Sequence, residues 1–170
     1  VKLPLVDEPN TSLLVWTTTP WTLPGNMAAA VHGEADYVKV RISEPVAADN
    51  LDNGKGSVTV HKNFKTEHVI VAKENLHHVD FNAVIHEIVE EFKGSELVGK
   101  RYTPPFDYWT AQEFHPKGTS NAPSEGADGK ENAWTIYHAD YVEIGGEGTG
   151  AVHLAPAYGD EDMQLALEHN

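Results

Sequence analysis

The feature that most constrains this chain is the junction at residues 13–26. The apolar run Leu13-Leu14-Val15 reads as a buried strand, and it stops abruptly in Trp16-Thr17-Thr18-Thr19-Pro20-Trp21-Thr22-Leu23-Pro24-Gly25-Asn26. Threonine is β-branched and suits extended backbone, its hydroxyl both donates and accepts, and each proline fixes φ. A strand end of this composition can hold several small polar groups in one rigid arrangement. The same residues also describe a plain Thr-rich strand running into a proline turn, and composition alone leaves both readings open.

The wording of the segment narrows the choice. Thr17-Thr18-Thr19-Pro20-Trp21-Thr22-Leu23-Pro24-Gly25-Asn26 resembles the threonine-rich motif in the editing domain of isoleucyl-tRNA synthetases, the connective polypeptide inserted into that class I enzyme. A second stretch, Gly148-Thr149-Gly150-Ala151-Val152-His153-Leu154-Ala155-Pro156-Ala157-Tyr158-Gly159-Asp160-Glu161-Asp162, is similar to the other signature of that domain. The segment Lys93 to Tyr102, before the Pro104-Pro105 corner, extends the resemblance beyond the two site motifs. Valyl and leucyl editing domains carry an Arg-Pro version of the first motif and place no histidine where His153 stands, which favours the isoleucyl family. The resemblance implies a β-rich α+β fold, a distorted β-barrel with short peripheral helices.

At 170 residues the chain suits a single domain, 1–170, with a substantial core. It has no run of about 18 apolar residues and no basic-then-apolar leader, so a soluble, cytoplasmic protein without a membrane partner is expected. The absence of cysteine rules out disulfides and thiol nucleophiles. A net charge of −14, from 26 acidic against 12 basic residues, is awkward for a protein handling a polyanion, because such affinity comes largely from Lys and Arg. The chain alone should grip tRNA weakly, and the resemblance implies that the catalytic body of a parent synthetase supplies that grip. The start at Val1 without an initiator methionine and the helical pattern running to Asn170 suggest a domain excised from such a parent.

Along the chain, Met27 to His32 and the alternating Tyr37-Val38-Lys39-Val40-Arg41-Ile42 suggest a strand pair. Ser43 to Ser57 is polar around Asp52-Asn53-Gly54 and reads as a loop or hairpin tip. Glu67 to Ala72 reads as a buried strand, and Lys73 to Val79 as about two helical turns. Ala83 to Phe92 fits either a helical face or a β-branched strand, and the strand is preferred. Residues 115–132 form a surface excursion, rich in Gly, Pro, Ser, Asn and charge, for which no function is derived. Ala133 to Ala139 and Tyr141 to Ile144 read as strands. Gly145 to Gly150 is no phosphate loop, because no Gly-Lys-Ser/Thr follows it, and Asp160 to Asp162 open a helix.

Candidate chemistry follows in part from residue type. Acids in a first helical turn complement the macrodipole, which is a sufficient structural role for Asp162, with Asp160 suited to the N-cap. The resemblance implies instead that Asp162 holds the α-ammonium of a misattached amino acid. His153, in an apolar run, can be a packed residue; the resemblance makes it a wall that keeps isoleucine out, and its imidazole also leaves proton transfer open. Thr18 and Thr19 are the candidate catalytic groups. Threonine hydroxyls are poor bases and are expected to orient water and the ester, and the resemblance implies that a ribose hydroxyl of the terminal adenosine assists the hydrolysis. Thr17, Thr22 and Asn26 shape the pocket, and Trp21 either stacks on the adenine or packs as a wall. His77-His78 are adjacent, so their side chains should point apart, and no metal site or cofactor is expected.

The function expected from the resemblance is post-transfer editing: hydrolysis of valine from misacylated isoleucine tRNA, with valyl-adenylate as a further substrate. The acceptor end of tRNA(Ile) carrying valine would be the partner. Neither signature of the aminoacylation site occurs here, so this piece should not activate isoleucine. The alternatives are a non-catalytic module binding the tRNA acceptor end and a free-standing deacylase acting in trans.

Overall fold

The computed structural model describes residues 1–52, 57–79, 85–106 and 133–168. Among these residues eight strands run in chain order: β1 (Lys2–Pro4), β2 (Thr11–Leu14), β3 (Ala28–Val31), β4 (Asp36–Asp52), β5 (Ser57–Ala72), β6 (Ile85–Lys93), β7 (Thr135–His138) and β8 (Ala151–Leu154). One α-helix, α1 (Asp160–Glu168), follows them, and 3-10 turns occupy Pro20–Gly25, Lys73–His78 and Gly94–Glu96. The strands make two sheets, ordered β1-β2-β5-β4-β6 and β7-β3-β8. Two pairings are parallel, β2 with β5 and β3 with β7, and each joins segments distant in sequence.

Alternation along the strands explains how the sheets stack. Leu13 and Val15 point into the space between the sheets, where they meet Leu3, Ala29, Val31, Ile70 and Ile136 in the main core. Leu14 turns the other way and joins Val38, Val40, Val69 and Val71 in a second cluster. The central strand β3 is buried on both faces, which accounts for its small residues. Ala29 and Val31 face the main core, while Ala28 and Ala30 pack with Ala139, Val142 and Leu154. Tyr37 ties the layers together, its hydroxyl accepting the His32 amide N–H and donating to the Gly150 carbonyl.

These ladders correct several expectations. The sheets are open among the described residues, with β1 and β6 at the edges of one and β7 and β8 at the edges of the other, and no barrel closes. The joints between them are isolated bridges, Leu5 with Tyr102 and Arg101 with Thr135, and single bonds such as Ala72 N–H to the Thr149 carbonyl at 2.9 Å. Closure needs continuous strand pairing, which single contacts do not provide. Residues 27–32 and 37–42 do not pair with each other: β3 lies between β7 and β8, and β4 between β5 and β6.

The segment read as a loop from Ser43 is strand, since β4 continues to Asp52 and β5 begins at Ser57, with register shifts around Pro45, Ala47 and Ala48. Ladder bonds use only the backbone, so polar side chains do not prevent pairing, and the irregularity falls at the residue lacking an N–H. Lys73 to His78 is a 3-10 turn rather than two turns of α-helix, and it brings the His77 and His78 rings to 3.9 Å instead of apart. Tyr141 to Ile144 is turn and bend, although Val142 is buried as its apolar character suggests. The strand assignment for 83–92 holds from Ile85 onward. The excursion at 115–132, the turn at Asn53-Gly54 and the residues Ala83-Val84 lie outside the described residues.

Candidate functional site

The backbone carries the two distant motifs to one place. Beyond β2, the Trp16 amide N–H reaches the Ala151 carbonyl at 3.4 Å, so the first motif leaves its strand beside β8. The Thr19 amide then donates to Thr17 Oγ1 at 3.1 Å, and the two hydroxyls lie 3.3 Å apart. Pro20 opens the 3-10 turn, where a missing N–H costs nothing. From the buried part of that turn, Thr22 Oγ1 donates to the Thr19 carbonyl at 2.8 Å and lies 3.1 Å from His153 Nε2.

The second motif arrives on β8 and α1. Its Gly-rich approach is held by the fully buried Asn75, whose Oδ1 accepts the Gly145 amide N–H and whose Nδ2 donates to the Gly146 carbonyl. Gly148, at φ 98°, sits against the Trp16 indole, where an added Cβ would fall 3.2 Å from a ring carbon. Asp162 sits in the first turn of α1 and folds back, with Oδ2 accepting the Ala155 amide N–H at 2.8 Å. Asp160 is the first residue of that helix rather than its cap.

Between the motifs lies an open cleft of about 350 Å³. Its first wall is Trp16, Thr17, Thr18, Thr19 and Thr22, and the facing wall includes Val152, His153, Tyr158 and Asp162. Thr18 is exposed, and its hydroxyl has no protein partner among the described residues. Among the described residues no Lys or Arg lines the cleft, and Asp162 is the one carboxylate on its walls. Burial pushes the His153 imidazole below its ordinary range, against an opposing pull from Asp162. The cleft therefore presents one negative charge, a row of hydroxyls and a neutral ring. That set binds a cation and orients polar atoms, and no side chain in it is an obvious strong base.

Six of the eight sequence candidates line this cleft: Thr17, Thr18, Thr19, Thr22, His153 and Asp162. Two do not. Trp21 is 71% exposed on the outer side of its turn. Asn26 is 3% exposed, with Nδ2 donating to the Ala28 carbonyl at 2.8 Å and Oδ1 accepting the Tyr102 hydroxyl at 2.7 Å. Its amide braces the core. Trp16 and Tyr158 line the cleft without having been singled out; both lie in or beside the two motifs, and aromatic residues flanking a polar cluster were the available signal. Tyr158 also connects the motifs, since a Cβ at Gly25 would fall 2.6 Å from its ring. A second cavity of about 380 Å³ lies across Trp16, where Leu14, Val15, Ile42, Val69 and Val79 meet Lys2, His78 and Thr149, and among the described residues no carboxylate side chain lines it.

The fold is similar to that of solved leucyl-tRNA synthetase editing domains. The CP1 domain GlLeuRS-CP1 superposes with a TM-score of 0.58 at 16% identity, over 97% of this chain and 57% of that one. The editing domain of the cytosolic leucyl-tRNA synthetase of P. falciparum superposes at 0.54 with 12% identity, over 90% of this chain and 44% of that one. No family model matches the sequence. The sequence itself is 40% identical over 164 residues, 96% of the chain, to isoleucine–tRNA ligase of Bifidobacterium longum. It is 38% identical over 172 residues, 99% of the chain, to that of Pyrococcus horikoshii. The chain belongs to the isoleucine–tRNA ligase family, as a segment with the fold of the leucyl editing domains. It spans 12–13% of the length of these curated relatives.

Proposed function

We propose that the cleft hydrolyses the ester of valine wrongly attached to isoleucine tRNA, and valyl-adenylate as a second substrate. The observation that carries this reading is the meeting of the threonine cluster, His153 and the Asp162 carboxylate in one open cleft, with no competing cation among the described residues of its walls. Asp162 has one oxygen occupied by the Ala155 N–H, which orients the carboxylate and leaves the other oxygen for an α-ammonium. Thr18 and Thr19 hold water and the ester carbonyl, and a ribose hydroxyl of the terminal adenosine assists proton transfer. His153 and Thr22 bound the side-chain end, admitting valine and excluding the additional methylene of isoleucine. One methylene is worth only about 1–3 kcal/mol of discrimination, a limit for which isoleucine–tRNA ligase is itself the standard illustration. A second sieve answers that need.

The parent synthetase body supplies the grip on tRNA that a chain of charge −14 lacks. The test is ester loss from valyl-tRNA(Ile) and isoleucyl-tRNA(Ile), at low and moderate salt, with the wild-type chain and Asp162→Asn. Asparagine keeps an oxygen for the Ala155 N–H but loses the charge. Removing a charge-assisted contact of about 1.5–3 kcal/mol should lower kcat/KM for the valyl ester by roughly 10- to 150-fold while the fold is retained. Hydrolysis that ignores the substitution overturns the role of Asp162. Silence toward both esters, in this chain and in the full synthetase, leaves the acceptor-end binding module as the correct reading.

A further inference from the structure

The Thr22 hydroxyl has a single hydrogen and two neighbours, the Thr19 carbonyl at 2.8 Å and His153 Nε2 at 3.1 Å. The other ring nitrogen, Nδ1, is buried without a hydrogen-bond partner. Two neutral arrangements are conceivable. In one, Thr22 donates to the carbonyl and accepts from Nε2–H, leaving Nδ1 as a bare lone pair. In the other, Thr22 donates to a bare Nε2, and a buried Nδ1–H is left unpaired. An orphaned buried donor is the rarer and costlier defect, whereas a weakly solvated acceptor is tolerated. A doubly protonated ring leaves the same orphaned donor and adds a buried charge.

We infer that Thr22 is a positioning residue that locks His153 as the neutral Nε2–H tautomer through the chain His153 Nε2–H to Thr22 Oγ1–H to the Thr19 carbonyl. This inference rests on the editing reading for its consequence, though not for its geometry. The charged groups that act on the ring are Asp162 of α1, which favours the imidazolium, and the Val1 amine together with burial, which oppose it. An imidazolium here would compete with an incoming α-ammonium for Asp162. The lock removes that competitor and keeps the ring plane fixed as a wall, so selectivity between valyl and isoleucyl esters should not follow the titration of an ordinary histidine. Because the relay runs through the Thr19 carbonyl, it also couples the wall to the hydroxyl cluster.

Nitrogen NMR of the histidine ring in this chain tests the lock without any substrate. The wild type and Thr22→Ser should each show one neutral tautomer, protonated at Nε2, persisting at pH 7 and below the usual histidine midpoint. Thr22→Val, nearly equal in shape but with no polar atom, should give mixed tautomers. Loss of one such bond corresponds to about a fivefold change in a population or rate, so the valyl-over-isoleucyl selectivity of Thr22→Val should fall by about fivefold and become pH-dependent, whereas Thr22→Ser, which keeps the hydroxyl but removes a methyl from the wall, should keep a pH-independent selectivity at whatever level the wider pocket sets. A wild-type ring protonated at Nδ1, or charged at pH 7, overturns the inference, as does Thr22→Val with an unchanged tautomer. Should the tautomer be as inferred while no ester is cleaved, the lock stands and the editing reading falls.

Discussion

Replacing Asn26 by alanine separates a bracing role from a substrate-facing one. The Asn26 side chain is the acceptor of the Tyr102 hydroxyl and a donor to the Ala28 carbonyl, in a region where Tyr102 is 2% exposed. Burial pushes the Tyr102 phenol well above its ordinary range, so the hydroxyl stays protonated and needs an acceptor. Alanine leaves one buried donor unpaired, strips one contact from a carbonyl and opens a small void. At about 1–3 kcal/mol for each unpaired group, with partial relaxation, the expected cost is about 2–4 kcal/mol. For a domain of this size that lowers Tm by roughly 5–15 °C. Urea unfolding followed by tryptophan fluorescence measures it. Tyr102→Phe removes the other partner, and the double variant should cost about 1–2 kcal/mol less than the sum of the singles. The reasoning is refuted if Asn26→Ala stays within about 0.5 kcal/mol of the parent stability yet loses ester hydrolysis, because Asn26 would then act on substrate.

Three further outcomes follow from the same geometry. Gly150 has φ 72° and a Cβ there would lie 2.3 Å from the Ala72 Cβ, so Gly150→Ala should lose about 2–4 kcal/mol in denaturant unfolding. Gly99→Ala, at φ 85° with no atom within 4 Å, should lose only about 1–2 kcal/mol, and equal losses would show that packing at Gly150 is irrelevant. The His153 imidazole is depressed from 6.5 in the fold, so below that value the unfolded chain takes up a proton that the folded chain resists. Stability should therefore fall as pH drops below about 6.5, and His153→Gln should flatten that part of the curve. Gly25→Ala should tilt the exposed Tyr158 ring, with a stability change under about 1 kcal/mol but a several-fold slower ester hydrolysis. Unchanged hydrolysis there would remove Tyr158 from the cleft's working wall.

Much of the site was legible because its parts are short and local. The hydroxyl cluster, the proline-opened turn and the acidic helix start are each written within a few residues, and six of eight candidates reached the cleft. Asn26 and Trp21 do not line the cleft for the same reason. Both lie inside the motif, but a 3-10 turn sends Trp21 outward and Asn26 into the core, and sequence proximity carries no direction. Tyr141 to Ile144 shows the limit of apolar pattern: burial of Val142 was correctly signalled, but a turn buries it as well as a strand does.

Local residue preferences were enough to signal a buried strand at Leu13-Leu14, the strand character of β6, the helix at Asp160 and the hydroxyl-rich turn, because apolar runs, β-branching, proline and acidic caps act over one or two turns of chain. The sequence also carried the two motifs that align this chain with isoleucine–tRNA ligases. Only the tertiary structure decided that β3 lies between β7 and β8, that the sheets stay open, and that Thr22 meets His153 across 131 residues. Those are pairings between distant segments, chosen by which buried faces and backbone donors fit together in three dimensions. No local residue preference encodes that choice.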